Sequence, residues 1–310
     1  MPLMRDFFLA LSRSEVLRRM AVGFPPARAM SRRFVAGETL EDAVAAVRAL
    51  AGQGLSATLD HLGENVTSET EARDAALEAL DLLAAIEAHD LPSGVSVKLT
   101  QLGLDVSPGL AMGNLQAILA RAAQAGRFVR IDMESHAYVP VTLDIFYELW
   151  ERHKNVGVVI QSYLYRSEED VARLIDAGAS VRLVKGAYDE PPEVAYPKKE
   201  DTDAGFVRLM EMLFGDAARA NHVYPAIATH DEALIDWAKE HTRKRDIPRD
   251  EFEFQMLYGI RTDLQRQLRA EGYRVRAYVP YGEHWWPYFM RRLAERPANI
   301  FFLARNLLRR

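Results

Sequence analysis

The sequence predicts an α/β protein, a (β/α)8 barrel, and three observations carry that expectation. From residue 38 onward, short runs rich in Val, Ile and Leu alternate eight times with segments of helical period. Such runs read like strands of a parallel sheet buried on both faces. The length of 310 residues suits one such barrel or two ordinary domains.

Each element has its own justification. Residues 38–51 form the first helix candidate, with Ala43, Val44, Val47 and Leu50 at helical spacing and Gly52 and Gly54 to end it. The first strand follows at 55–60. Residues 70–89 are a long helix with Leu77, Leu80, Leu82, Leu83 and Ile86 as its apolar stripe. Pro92-Ser93-Gly94 is a turn, and 95–99 the second strand. The alternation continues with helix 110–125 and strand 128–133, then helix 141–153 and strand 156–161. Helix 167–177 has Ser167 as N-cap and Glu169 and Asp170 in its first turn. Strand 181–185, helix 203–220, strand 224–229, helix 231–244, strand 252–257, helix 261–271 and strand 274–279 complete the series. Helix 287–296 closes it.

A doubly wound sheet is the rival architecture, and it would carry a Gly-rich phosphate loop after a strand. The one near match, Gly52-Gln53-Gly54-Leu55-Ser56-Ala57, follows a helix and opens a strand, the reverse order. The expected organisation is therefore an N-terminal helical arm, 1–36, and a barrel, 37–310. Residues 188–202, with Pro191, Pro192 and Pro197, form a long insertion after the fifth strand, and such loops are often lids or binding loops.

Composition excludes several chemistries. With no cysteine there is no thiolate nucleophile, disulfide framework, cysteine zinc site or iron–sulfur cluster. A net charge of −5 leaves no footprint for nucleic acid. The eight histidines show no metal spacing, so no metal is expected. No uncharged stretch is long enough to span a bilayer. Residues 1–36 hold seven arginines against Asp6 and Glu15, faintly like a transit peptide; amphipathic helices packed on the domain are the simpler account.

In such a barrel the active site stands at the carboxyl ends of the strands, and polar residues collect there. In strand order they are Asp60, His61 and Glu64; Lys98; Asp132 and Glu134; Gln161; Arg182 and Lys185; Thr229, His230 and Asp231; Gln255; and Tyr278. The closing helix adds Arg291 and Arg292. Each has a structural alternative. A buried Lys98 must be paired or stand at the rim. Arg182 can form an ion pair with Asp132 and still face a ligand. His230 alone reads as a satisfied histidine, Glu64 as a surface residue, and the arginine pair as solvated charge.

The ordered motifs resemble those of the proline dehydrogenases. The most specific is YVPYGEHWWPYFMRRLAERPANIFF at 278–302, followed by RLVKGAY at 182–188. Weaker matches are VSVKLTQLG around Lys98, RIDMES around Asp132, IQSYL at Gln161 and ATHDE at Thr229. The resemblance covers about residues 37–310 and fits the monofunctional form, with no aldehyde dehydrogenase domain. It implies a distorted barrel holding FAD non-covalently. It implies that FAD-dependent oxidation of L-proline to Δ1-pyrroline-5-carboxylate is the reaction, by hydride transfer from C5 to flavin N5. Membrane quinone would take the electrons, and a pyrroline-5-carboxylate dehydrogenase would consume the product.

The resemblance also implies roles. Lys98, Arg291 and Arg292 would bind the proline carboxylate, and Leu183, Tyr188 and Tyr278 would pack on its ring. Arg182 would reach flavin N5, held by Asp132. Met133, Gln161, Lys185, Gly186, Ala187, Thr229 and His230 would line the FAD. Glu64 would pair with Arg291 when the site is empty, as a gate. The expected location is cytoplasmic, with peripheral contact at the inner membrane face. The rival function is a Schiff-base lyase or aldolase using Lys98 or Lys185.

Overall fold

The structure, a computed structural model, describes residues 31–295. Eight parallel strands close into a barrel in chain order. They are β1 (Ser56–His61), β2 (Ser93–Val97), β3 (Val129–Ile131), β4 (Val156–Gln161), β5 (Ser180–Val184), β6 (Tyr224–Ala228), β7 (Glu253–Leu257) and β8 (Val275–Tyr281). Helix α1 (Leu40–Ala51) precedes β1. Then α2 (Glu69–Ala88), α3 (Pro108–Gln124), α4 (Val139–Trp150) and α5 (Ser167–Asp176) follow the first four strands. Beyond β5 come α6 (Lys199–Leu213) and α7 (Asp216–Ala220), then α8 (Glu232–Lys244), α9 (Thr262–Ala270) and α10 (Trp285–Glu295).

Sequence chemistry explains the helix starts. Thr39 and Ser68 each form a capping box, with Asp42 and Glu71 respectively. Ser107 caps α3 ahead of Pro108, whose missing N–H costs nothing in the first turn. Ser167 behaves differently from expectation: it is the first residue of α5, and its hydroxyl donates to the Gln161 carbonyl at 2.6 Å. The serine thus tethers the end of β4. Leu77 also departs from its expected place, being 57% exposed. The buried stripe of α2 is instead alanine-rich: Ala72, Ala75, Ala76, Ala79, Leu82, Leu83 and Ile86. The helix expected over 203–220 is two helices, separated where Gly215 turns to an extended backbone.

The strands carry two chemistries on alternate residues. One face holds Leu59, Val95, Val129, Val158, Val181, Ile227 and Phe254, all buried and packed in the main core. The other face is polar. Register places Thr58 beside Tyr278, Ser96 beside Arg130, Val159 beside Arg182 and Gln255 beside Arg276. At the amino end Arg130 donates to the Val158 and Ser180 carbonyls, and Arg276 to Glu253 and the Ala57 carbonyl. These bonds satisfy the polar groups that close the barrel floor. A depression of about 620 Å³ there is ringed by Arg249, Arg269, Arg274 and Arg276. Its arginines Arg249, Arg269 and Arg276 each donate to a backbone carbonyl.

A second apolar cluster sits at the other end. Phe34, Val35 and Leu62 pack with Trp285, Trp286, Tyr288, Phe289 and Met290 of α10. The Trp285 indole N–H donates to Glu38 at 3.1 Å. This cluster seats α10 beside the loop after β1. The expected arm over 1–36 lies largely outside the described residues.

Candidate active site

The polar residues at the strand ends form one network centred on Asp132. Its Oδ1 accepts from Arg182 Nη1 at 2.7 Å and from the Ser96 hydroxyl at 3.0 Å. Its Oδ2 accepts from the Tyr278 hydroxyl at 2.7 Å. Arg182 Nε donates to Gln255 Oε1 at 2.5 Å, and its guanidinium lies 5.4 Å from the Tyr278 ring centroid. Both strand β3 and strand β2 stop short of expectation: Asp132, Met133 and Lys98 lie just past their ends. The Asp132 N–H still donates to the Val97 carbonyl at 2.9 Å, and beyond it side chains take over the bonding.

Lys98 is buried, and its Nζ donates to both Asp60 oxygens, at 3.0 and 3.2 Å. A second carboxylate, Asp132, lies 3.8 Å away. Burial works against the ammonium, but the Asp60, Asp132 and Glu64 charges outweigh it and raise the Lys98 pKa. A Schiff-base lysine needs the opposite, a readily neutralised amine. Lys185 is likewise engaged by Asp203 at 2.5 Å and Asp231 at 2.8 Å.

Above this network stands a second layer. Arg291 Nη2 pairs with Glu64 Oε1 at 2.7 Å. Arg292, one residue on, is buried with its guanidinium 5.1 Å from the Tyr288 ring. Tyr188 is near enough to Glu64, Glu134, Arg291 and Lys98 to feel their charges; burial, then the two carboxylates, push its hydroxyl upward. Tyr278 is also raised, by burial and by Asp132 and Asp60.

The remaining expected residues are placed as follows. Gln161 is buried at the end of β4; its amide donates to the Glu134 carbonyl at 2.9 Å and its Oε1 accepts from Tyr163. Gly186 has φ +121°, and a Cβ there would lie 2.4 Å from the Tyr163 ring, so the chain after β5 runs tight against this tyrosine. Ala187 beside it is exposed. Thr229 receives the Asp231 N–H at 3.1 Å, and His230 Nε2 accepts the Leu257 N–H at 3.2 Å, so the end of β6 is bonded to β7. Met133 is buried. Leu183 is fully buried in β5, next to Arg182, so strand alternation puts it on the opposite face. Sequence reasoning listed Asp60, Glu134 and Gln255 at strand ends without giving them a part. Their contacts with Lys98, Thr100 and Arg182 show them to be structural members of the site. Their polarity in otherwise apolar strands was the available signal.

Among the described residues Arg182 Nη2 has no hydrogen-bond partner. A buried guanidinium N–H of this kind is costly unless a ligand accepts from it. That donor, at the carboxyl end of the barrel, fits a heteroaromatic cofactor with acceptor nitrogens and oxygens. No group of His, Asp or Glu suited to hold a metal ion occurs among the described residues.

Comparison with known proteins points to one family. The family model described as "Proline dehydrogenase" matches residues 43–305. "Proline dehydrogenase 1" of Bacillus subtilis is 44% identical over 99% of this chain and 100% of its own. "Proline dehydrogenase" of Deinococcus radiodurans is also 44% identical, over 90% of each chain. Among solved structures, proline utilization A (PutA) of Bdellovibrio bacteriovorus superposes with a TM-score of 0.79 at 29% identity, over 86% of this chain and 32% of that one. With a family model covering most of the chain and full-length relatives at this identity, the chain belongs to the proline dehydrogenase family.

Proposed function

We propose that the protein catalyses the first step of proline catabolism, oxidising L-proline to Δ1-pyrroline-5-carboxylate with non-covalently bound FAD. The observation that carries this reading is the strand-end network of Asp132, Arg182, Tyr278 and Lys98 in a chain of this family. FAD, when bound, supplies the acceptor for the hydride lost from proline C5, while the amine loses a proton.

This chain's residues do the rest. Lys98, Arg291 and Arg292 hold the substrate carboxylate, and each charge-assisted bond contributes about 1.5–3 kcal/mol. Arginine offers the planar fork that a carboxylate matches. Tyr188 and Tyr278 form the walls of the ring pocket, and Leu183 backs β5 behind them. Arg182 directs its free N–H toward the reducible part of the cofactor, where a cation favours added negative charge. Asp132 holds Arg182 and Tyr278 in place through its two oxygens. Met133, Gln161, Lys185, Gly186, Ala187, Thr229 and His230 surround the cofactor. Glu64 holds Arg291 until a substrate carboxylate takes its place. The barrel's contribution is chiefly positioning, and the redox chemistry belongs to the cofactor.

The electrons pass on to membrane quinone, and an aldehyde-oxidising pyrroline-5-carboxylate dehydrogenase consumes the product. No helix among the described residues is long and apolar enough to cross a membrane, so the proposed contact with the quinone pool is peripheral, from the cytoplasmic side. The test is an absorbance spectrum of the purified protein before and after adding L-proline without oxygen. A flavin spectrum bleached by proline is expected. A protein that FAD cannot reconstitute, or whose flavin ignores proline, would overturn the reading.

A further inference from the structure

Glu64 reaches Arg291 from a segment that is itself held at three points by one turn. Gln101 donates to the His61 carbonyl at 3.1 Å. The Asn65 N–H donates to the Thr100 hydroxyl at 3.1 Å, and the Val66 N–H to the Thr100 carbonyl at 3.3 Å. Asn65 sits in the left-handed region at φ +55°, a conformation that costs a non-glycine residue energy unless its surroundings impose it. Thr100 is in turn fixed from the far side. Glu134 Oε1 accepts the Thr100 N–H at 3.1 Å, and Oε2 accepts the Thr100 hydroxyl at 2.6 Å. Thr100 is fully buried and Glu134 nearly so. The carboxylate therefore directs the hydroxyl hydrogen toward itself and leaves an oxygen lone pair for Asn65.

We propose that Glu134 and Thr100 are positioning residues that hold the 61–66 segment so that Glu64 can close on Arg291. Neither is paired with Arg291 directly; they act through the bend at Asn65. The same turn begins at Lys98, so the support of the gate and the placement of the substrate-facing lysine share one structural piece. This inference rests on the proline-oxidising reading of the site.

The experiment compares Thr100→Val and Thr100→Ser, each alone and combined with Glu64→Ala, in the FAD-loaded enzyme. The expected result is that Thr100→Val shifts the KM for proline at least threefold, in the direction in which Glu64→Ala shifts it, with kcat within twofold. Thr100→Ser, which keeps the hydroxyl, restores the wild-type KM. In the Glu64→Ala background Thr100→Val adds no further shift. An equal shift in both backgrounds, a loss confined to kcat, failure of serine to restore, or an unchanged KM in Glu64→Ala each overturns the proposal. If the valine variant does not fold, Glu134→Gln, which keeps the shape and one acceptor oxygen, carries the same comparison with a smaller shift. A wild-type enzyme without proline turnover marks failure of the functional reading instead.

Discussion

Asp132 shows how a single carboxylate can organise a site. Its two oxygens receive Arg182, Ser96 and Tyr278, so three side chains from different strands take their orientation from it. The guanidinium so positioned has its Nη2 without a hydrogen-bond partner among the described residues, which the proposed function assigns to the cofactor. Arg182→Met should therefore weaken FAD binding or lower kcat, measured by flavin titration and steady-state rates. Arg291→Ala or Arg292→Ala should raise the KM for proline by tenfold or more while FAD is retained, since the lost bond is worth about 1.5–3 kcal/mol; release of FAD would contradict the assignment. Glu134 gives a pH-dependent expectation. Burial pushes it up to about 7, against the bonds from Thr100. A carboxyl raised on folding contributes stability that is complete below its unfolded value near 4.5 and is lost as pH rises through about 7. Wild-type stability relative to Glu134→Gln should thus fall between pH 5 and pH 8, by at most about 3 kcal/mol. Thermal melts of both proteins across that range measure it.

At the scale of the element, the segment after β5 is held on several sides. It turns at Gly186, lies against Tyr163, and is tied back by Tyr163 N–H to the Lys185 carbonyl at 3.0 Å. The insertion that follows, read from the sequence as a long loop of the lid or binding kind over 188–202, is bonded to its surroundings: Glu190 accepts from His136, Leu164 bridges Ala195, and its last residues start α6. Proline and charge in the sequence marked the irregular backbone but said nothing of these partners. Gly186→Ala should disrupt this segment, because the new methyl meets the Tyr163 ring under a backbone angle that disfavours L side chains. Reduced FAD content with a largely intact circular dichroism spectrum is the expected outcome.

Over the whole molecule, the barrel and α10 are held by separate apolar cores. The main core needs only strands and helices of ordinary period. The smaller one depends on Trp285, which is almost fully buried against Phe289 and Trp286 and bonded to Glu38. Trp285→Ala removes about 3–5 kcal/mol of packing, and the loss falls on the helix that carries both arginines. A raised KM for proline with near-normal FAD content is expected; equal loss of both would place α10 inside the main cooperative unit.

Eight β/α units could be read from the chain because hydrophobic period is a local property, repeated within ten to twenty residues. The strand-end polar residues were legible for the same reason: a charged side chain in an apolar run stands out wherever it occurs. Most pairings across the barrel were not. Lys98 meets Asp60 across 38 positions and Tyr278 meets Asp132 across 146. The Arg291–Glu64 pair, across 227, was expected only through the family resemblance, and the structure contains it. Such contacts follow from strand register and barrel closure, which no local pattern encodes. The sequence alone was enough for the architecture and for which residues gather at one end. Which of them touch, which buried donor is left without a partner, and what braces the segment that carries Glu64 emerge only once the sheet closes, because closure brings distant positions within hydrogen-bond range.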